Sequence, residues 1–423
     1  MIARARDSSF WSSLETPPGR RKGETGEASV DLHPYNAAVS VSLGSASLAS
    51  HLEGHRVGLV ANPASVDHDF THMTDLVAPL SGVTVAALFG PQHGFRSDLQ
   101  DNMIETDHAH HARLGVPIYS LYGETREPDG AMLAELDLLV IDLQDVGTRV
   151  YTYIHTMTNC LRACAHHGVP VLVCDRPNPV GGLTVEGPML APGFESFVGL
   201  FPIPLRHGLT IGEMAQLCNE SFGLGASLEV LPLHGWHRQM YHDETGLAWV
   251  MPSPNLPTID STIVYPGQVL VEGTNLSEGR GTTRPFELVG APWLDARAVA
   301  GAMNDHQLPG VHFRPAEFQP TFQKHAGEPC GGCQLHVTDR TAFQPVVTTV
   351  ALLQTCRRLA PDHFAWRQPP YEYETVMPPI DILSGSDQLR RQLDDDIPFD
   401  VIARSWETDL QAFRSQREPY LLY

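Results

Sequence analysis

Side chains able to move a proton or grip an anion gather at a few places in this chain. Residues 270–286 read LVEGTNLSEGRGTTRPF, an irregular run holding Glu272, Asn275, Glu278, Arg280 and Arg284 among three glycines. Upstream, GPQHGFR (90–96) carries Gln92, His93 and Arg96, and IDLQDVGTRVY (141–151) carries Asp142, Gln144, Asp145, Arg149 and Tyr151. DRPN (175–178) adds Arg176 and Asn178, and GGLTVEGP (181–188) adds Glu186. Carboxylates, amides, histidines and guanidinium groups suit a neutral sugar that bears an acid group. Glycoside cleavage needs one carboxyl to protonate the leaving oxygen and a second group to activate water or attack the anomeric carbon. Asp142, Asp145, Glu186, Glu272 and Glu278 are the candidates, and spacing does not say which of them holds a proton; Asp142 and Asp145 equally suit loop capping. Arg149, Arg176, Arg280 and Arg284 have the fork to pair bidentately with a substrate carboxylate. Tyr151, Tyr153 and Trp249 offer aromatic surface.

Other chemistries lack their signatures. No GxGxxG follows the first apolar strand, whose loop is ANPASVD, so a dinucleotide has no anchor. The 270–286 run lacks the lysine after glycine that a P-loop requires, and neither HExxH nor GxSxG occurs. Cys330-Gly-Gly-Cys333 has the spacing of half a zinc knuckle or a redox pair, but no second CxxC or CxxH follows, and it reads as a glycine turn.

The elements that must position these groups show in the apolar pattern. RVGLVANP (56–63), VTVAALFGP (83–91), VPIYSLYG (116–123), LDLLVIDLQD (136–145) and VPVLVCDRPNP (169–179) each read as a strand running into a polar loop. Their near-continuous apolar character suits a parallel sheet buried on both faces. Residues 151–168 have helical spacing ended by Gly168, and Thr210 with Glu213 forms a capping box before another helix. In an open α/β sheet the ligand crevice lies at the carboxyl ends of the strands, where Gln92, His93, Arg96, Asp142, Asp145, Arg149, Arg176 and Asn178 fall. Beyond residue 265 come a helix at 295–306, the glycine-cysteine turn, a strand at 333–340, a helix at 346–359 and a short helix at 384–395. PSPNLPT (252–258) reads as the stiff crossing into this part. The predicted fold is α/β: a tail at 1–34, a Rossmann-like parallel-sheet N-terminal domain at 35–260, and a smaller α/β C-terminal domain at 261–423.

At 423 residues the chain exceeds one comfortable core. A formal charge of −21, from 49 acidic and 28 basic residues, argues against nucleic acid and anionic membranes as partners. Seven cysteines, an odd number set mostly in apolar segments, favour reduced thiols. No segment has the unbroken apolar length of a membrane span, and the first residues lack a secretory apolar stretch. A cytoplasmic location is the expectation.

The series GPQHGFR, IDLQDVGTRVYTYIHTM, DRPNPVGG, VEGPML, PIPLRHGLTIGEMA, PSPNLPT and EGTNLSEGRGTTRPFELVGAPW resembles the exo-β-N-acetylmuramidase family from about residue 50 to near the C-terminus. The resemblance implies a Rossmann-like domain that uses no dinucleotide, a smaller partner domain, and an active-site cleft between them. It also implies hydrolytic release of N-acetylmuramic acid from the non-reducing end of peptidoglycan fragments, at the β-1,4 bond to N-acetylglucosamine, without metal or organic cofactor. Carried onto this chain, it adds His207 to the binding candidates, puts Gln92 and His93 beside the catalytic carboxyls, and turns Glu272, Asn275, Glu278 and Arg280 toward the cleft. The family has glutamate before the histidine where this chain has Gln92. An amide cannot exchange a proton at working pH. Either a neighbouring carboxylate takes over, or the chain is a lapsed or redirected sugar-binding relative.

Overall fold

The computed structural model describes residues 41–100 and 103–423. The expected tail at 1–34 lies outside the described residues. Strands β1 (Arg56–Ala61), β2 (Thr84–Gly90), β3 (Ala109–His110), β4 (Pro117–Ser120), β5 (Leu138–Asp142) and β6 (Val171–Cys174) come first along the chain. A two-stranded antiparallel pair follows, β7 (Glu186–Met189) with β8 (Pro204–Arg206), then β9 (Leu228–Leu231). The last three are β10 (Leu288–Ala291), β11 (Val311–Phe318) and β12 (Cys330–Val337).

Among the described residues, seven strands form one sheet in the order β3-β4-β2-β1-β5-β6-β9. Every pairing in it is parallel except β3 with β4. The near-continuous apolar runs have the expected cause: β5 and β6 are buried at every residue, with helices against the sheet. The helix Tyr153–His167 ends on Gly168 in the left-handed region, and the capping box at Thr210 and Glu213 is formed.

Toward the C-terminus an antiparallel sheet of order β10-β12-β11 packs with the helices Ala296–Asp305 and Pro345–Leu359. One expectation is corrected here. Cys330–Cys333 is no turn; it opens β12, the central strand of this sheet. A Cβ on Gly331 would meet the Leu294 carbonyl oxygen at 2.2 Å, and one on Gly332 would meet that of Val289 at 1.9 Å, so glycine permits close backbone approach. The short helix expected at 384–395 is Gln388–Asp394, and another, Pro379–Ser384, precedes it, parted from it by Gly385 at φ 89°.

One apolar cluster runs from Val60 and Phe89 through Leu205 and Leu270 to Val350 and Phe413, so both sheets share packed side chains. The predicted crossing at 252–258 is tied into the first sheet: the Pro252 carbonyl accepts from Asn62 Nδ2 at 2.8 Å and from Tyr153 Oη at 2.5 Å.

Candidate active site

The loops after β2, β4 and β5 meet the 252–258 crossing, the 270–286 run and a tight turn at 371–374. Between them lies a small polar chamber of about 40 Å³, lined by Gln92, His93, Tyr151, Glu272, Arg280 and Glu372 among others. That is room for a few waters and far below the roughly 300 Å³ at which small-molecule sites begin.

Glu372 is the group sequence reasoning missed. It is 4% exposed and sits in a two-residue turn in which Tyr371 and Glu374 exchange backbone hydrogen bonds of 2.9 Å. Both central residues have positive φ, 45° at Glu372 and 70° at Tyr373. Such turns favour glycine and asparagine. Holding two other side chains there costs about 1–3 kcal/mol each, and backbone strain of this kind clusters at functional sites. Gln92 Nε2 donates to Glu372 Oε1 at 3.2 Å, and Tyr122 Oη donates to Oε2 at 2.9 Å. Thr152, at the N-terminus of the helix Tyr153–His167, donates to Gln92 Oε1 at 2.8 Å. Burial, aided by the nearby Glu272 charge, pushes the Glu372 carboxyl up to about 7 despite hydrogen bonds from Tyr122 and Gln92 and the Arg280 charge.

Glu272 faces the same chamber in a different setting. Arg280 Nη2 donates to its Oε1 at 2.6 Å and Tyr371 Oη to its Oε2 at 2.8 Å. Arg280 also lies 3.3 Å from Glu278, whose other oxygen meets Lys324 Nζ at 2.9 Å. Burial opposes ionisation of Glu278, but Lys324 and Arg280 outweigh it and hold its carboxyl below the usual range. Gly281, at φ 78°, lets the loop run against the backbone of Thr321 and Phe322, where a Cβ would meet the Phe322 carbonyl oxygen at 2.7 Å. The site therefore holds one carboxyl whose hold on its proton is raised by burial, beside a second that is paired with a guanidinium.

Of the residues singled out from sequence, Gln92, His93, Tyr151, Glu272 and Arg280 line the chamber, and Glu278 adjoins it through Arg280. His93 is held by Nδ1 against the Leu99 carbonyl at 2.8 Å. The others are engaged elsewhere. Asp142 and Arg176 form a buried bidentate pair, with Arg176 Nη2 2.8 Å from Oδ2. They lie at and just after the ends of β5 and β6, beside β1, where the strand order reverses. Asp145 accepts from Gly147 N at 2.8 Å and lies 3.4 Å from His207. Arg149 is buried and donates to the carbonyls of Pro188, Ile203 and Leu383 at 2.8–2.9 Å. Burial alone brings its guanidinium down to about 9. Glu186 accepts from Val346 and Val347 N at 2.9 Å each, at the start of the helix Pro345–Leu359. Asn178 holds the Leu209 carbonyl, and Asn275 holds His363 and Ala365. Arg96 and Arg284 are exposed, Arg284 beside Glu287 and Asp260. Among the described residues, Asp67, His68 and Asp69 are grouped closely enough to share a metal ion, on the surface of the loop after β1.

The chain matches the N-terminal model of the family "Exo-beta-N-acetylmuramidase NamZ" over residues 57–260 and the C-terminal model over 263–423. It is 45% identical over 372 residues to the peptidoglycan beta-N-acetylmuramidase NamZ of Bacillus subtilis (strain 168), covering 88% of each chain. The chain belongs to the exo-β-N-acetylmuramidase NamZ family. Two solved DUF1343 family proteins of Bacteroides fragilis NCTC 9343 share its fold. One is 33% identical with a TM-score of 0.83, over 91% of this chain and 100% of that one; the other is 28% identical at 0.71, over 90% and 99%. The two NamZ models abut near residue 260, beside the crossing that walls the chamber, and the chamber draws residues from both stretches.

Proposed function

We propose that this protein hydrolyses the β-1,4 bond between a non-reducing terminal N-acetylmuramic acid and N-acetylglucosamine in peptidoglycan-derived glycans, with Glu372 as proton donor. The observation that carries the reading is the buried Glu372 carboxyl, held between Gln92 and Tyr122 in a strained turn, with its affinity for a proton raised to near neutrality. As the bond from C1 to the bridging oxygen breaks, Glu372 passes its proton to that oxygen. Glu272, gripped by Arg280 and Tyr371, supplies the negative charge that favours the oxocarbenium-like sugar. The water oxygen then bonds to C1, and its proton returns to a carboxylate of the pair. Family membership supports the substrate class, and the relative's name speaks for that relative's activity. The domains are taken as 35–260 and 261–423. A cytoplasmic location is proposed on the seven free, buried thiols, which suit a reducing compartment. Fractionation that finds the protein outside the cytoplasm contradicts it. No helix among the described residues is long and apolar enough to cross a membrane.

Gln92 favours a second reading, a sugar-binding relative without turnover, because an amide stands where the resemblance implies an acid. The disaccharide of N-acetylmuramic acid β-1,4-linked to N-acetylglucosamine separates the two. Free N-acetylmuramic acid above background supports hydrolysis; saturable binding with no release supports the second reading.

A further inference from the structure

One loop of the C-terminal sheet, residues 319–329 between β11 and β12, clasps the polar run at 270–286. Thr321 N and Oγ1 both donate to the Gly281 carbonyl at 2.9 Å, and His325 Nε2 lies 2.7 Å from that of Asn275. Between them Lys324 turns its Nζ into the run. It donates to the carbonyls of Val271 at 3.0 Å and Leu276 at 2.8 Å, and to Glu278 Oε2 at 2.9 Å. All three donors of the ammonium are thus spent. Gln323 and His325, on either side, stand at φ 63° and 57°, in the left-handed region that disfavours their side chains. Such backbone persists only where the surrounding contacts hold it.

Lys324, Glu278, Arg280 and Glu272 form a row of alternating charge, two cations and two anions, with successive separations of 2.9, 3.3 and 2.6 Å. No side chain in it is more than 16% exposed. The row divides into two pairs. Arg280 Nη2 makes a hydrogen bond to Glu272, whereas its Nε only faces Glu278. Burial opposes the charge on Glu278, and Lys324 does more than Arg280 to overcome it. Burial opposes the Arg280 charge as well, and Glu272 does more than Glu278 to sustain it. The Lys324 ammonium is itself drawn down by burial, with Glu278 and then Glu272 acting against that. The other charged or titratable groups that face the row are Tyr265, Tyr371, Glu372 and Arg367.

We propose that Lys324 is a positioning residue for the hydrolysis: by taking up the charge of Glu278 it leaves Arg280 to Glu272, and so holds the carboxylate of the chamber in place. This assignment rests on the proposed glycosidase reading and on the part Glu272 plays in it. Lys324 is not among the residues that line the chamber, and it acts through Glu278 and Arg280. Without the ammonium, Glu278 is a buried anion whose nearest cation is Arg280, and two carboxylates compete for one guanidinium. Glu272 then loses its partner in part. A negative charge aimed at the oxocarbenium-like sugar acts in the transition state, so its misplacement shows in kcat rather than in KM.

The test compares release of N-acetylmuramic acid from the muramyl disaccharide by the parent chain, Lys324→Met, and Lys324→Met with Glu278→Gln, with rates taken per folded molecule. Lys324→Met is expected to lower kcat about 30-fold or more with KM changed less than about threefold. Adding Glu278→Gln removes the competing anion, and kcat is expected to recover at least about tenfold. The carbonyls of Val271 and Leu276 lack their donor in both variants, so a lysine that only ties the loop down gives no such recovery. A double variant no faster than Lys324→Met, or a Lys324→Met variant with parental kcat, overturns the assignment. Should Lys324→Met fail to fold, Lys324→Gln, which keeps a donor for a carbonyl, gives the same comparison. A parent chain that releases no sugar overturns the glycosidase reading and this assignment with it, whereas an active parent indifferent to Lys324 overturns the assignment alone.

Discussion

Gln92 and Glu372 stand 280 residues apart in the chain and 3.2 Å apart in space, amide nitrogen to carboxyl oxygen. Thr152 donates to the amide's oxygen at 2.8 Å. The hydrogen bond from Gln92 favours the charged form of Glu372, so it is burial that raises the carboxyl's hold on its proton. The glutamine that departs from the family pattern and the acid that answers for it are therefore one structural unit.

Loss of the proton donor should be severe and specific. Glu372→Gln keeps the shape and an oxygen able to accept from Gln92, but it has no transferable proton. Turnover number is expected to fall about 10²- to 10⁴-fold with KM changed less than about threefold, as steady-state product analysis would show. A variant with more than about half of wild-type kcat removes Glu372 from the reaction.

The pH profile should carry the same group. A proton donor titrating at about 7 leaves kcat/KM level below that pH and falling roughly tenfold per unit above it. A rate that instead climbs through pH 7 would assign Glu372 as a base.

Gln92→Glu places a second carboxyl against the first. Two carboxyls at this distance cannot both ionise freely, so the pair shares a proton and its upper apparent value rises. The alkaline limb of kcat/KM is expected to move up by about one pH unit, measured on the muramyl disaccharide. An unchanged limb would mean that position 92 does not couple to the titrating acid.

Glu186 offers a stability test away from the chamber. Burial pushes its carboxyl up to about 7 despite Arg206 and two backbone N–H donors. A carboxyl with a raised value favours the folded state most fully below its unfolded value of about 4.5. That contribution is lost as pH rises through about 7, on the order of 3 kcal/mol over the window. Thermal melts between pH 5 and 8 should therefore fall less steeply for Glu186→Gln than for the parent, with parallel curves as the contrary result.

Arg149 should prove structural. Replacing it with methionine leaves the carbonyls of Pro188, Ile203 and Leu383 without their donor. A loss of at least about 3 kcal/mol is expected in denaturant unfolding, with KM of the remaining folded enzyme unchanged. A KM rise confined to acidic sugars would restore it as a binding residue.

How much of this could be read in advance follows from range. The parallel strands announced themselves because burial on both faces makes each run apolar on its own, as in LLVID of β5, and the capping box at Thr210 is complete within four residues. Gln92, His93, Glu272 and Arg280 stood out because each sits in a dense local run of polar groups. Arg149 and Asp142 stood out for the same reason, while the partners they have in the structure, Leu383 and Arg176, are distant in sequence. Glu372 gave no local signal. In PPYEYET it is one of two glutamates in a polar run, and only its partners at Gln92 and Tyr122, 280 and 250 residues away, distinguish it from Glu374. A buried strand of CGGC reads as a turn until the carbonyls of Leu294 and Val289 crowding it are known.

Product analysis on the disaccharide of N-acetylmuramic acid and N-acetylglucosamine, at pH 6, for the natural chain beside Glu372→Gln and Gln92→Glu, addresses the central claim most directly. Free N-acetylmuramic acid should accumulate with the natural chain and nearly vanish with Glu372→Gln. An inert natural chain that gains turnover only when Gln92 becomes glutamate would contradict the account and leave Glu372 a buried bystander.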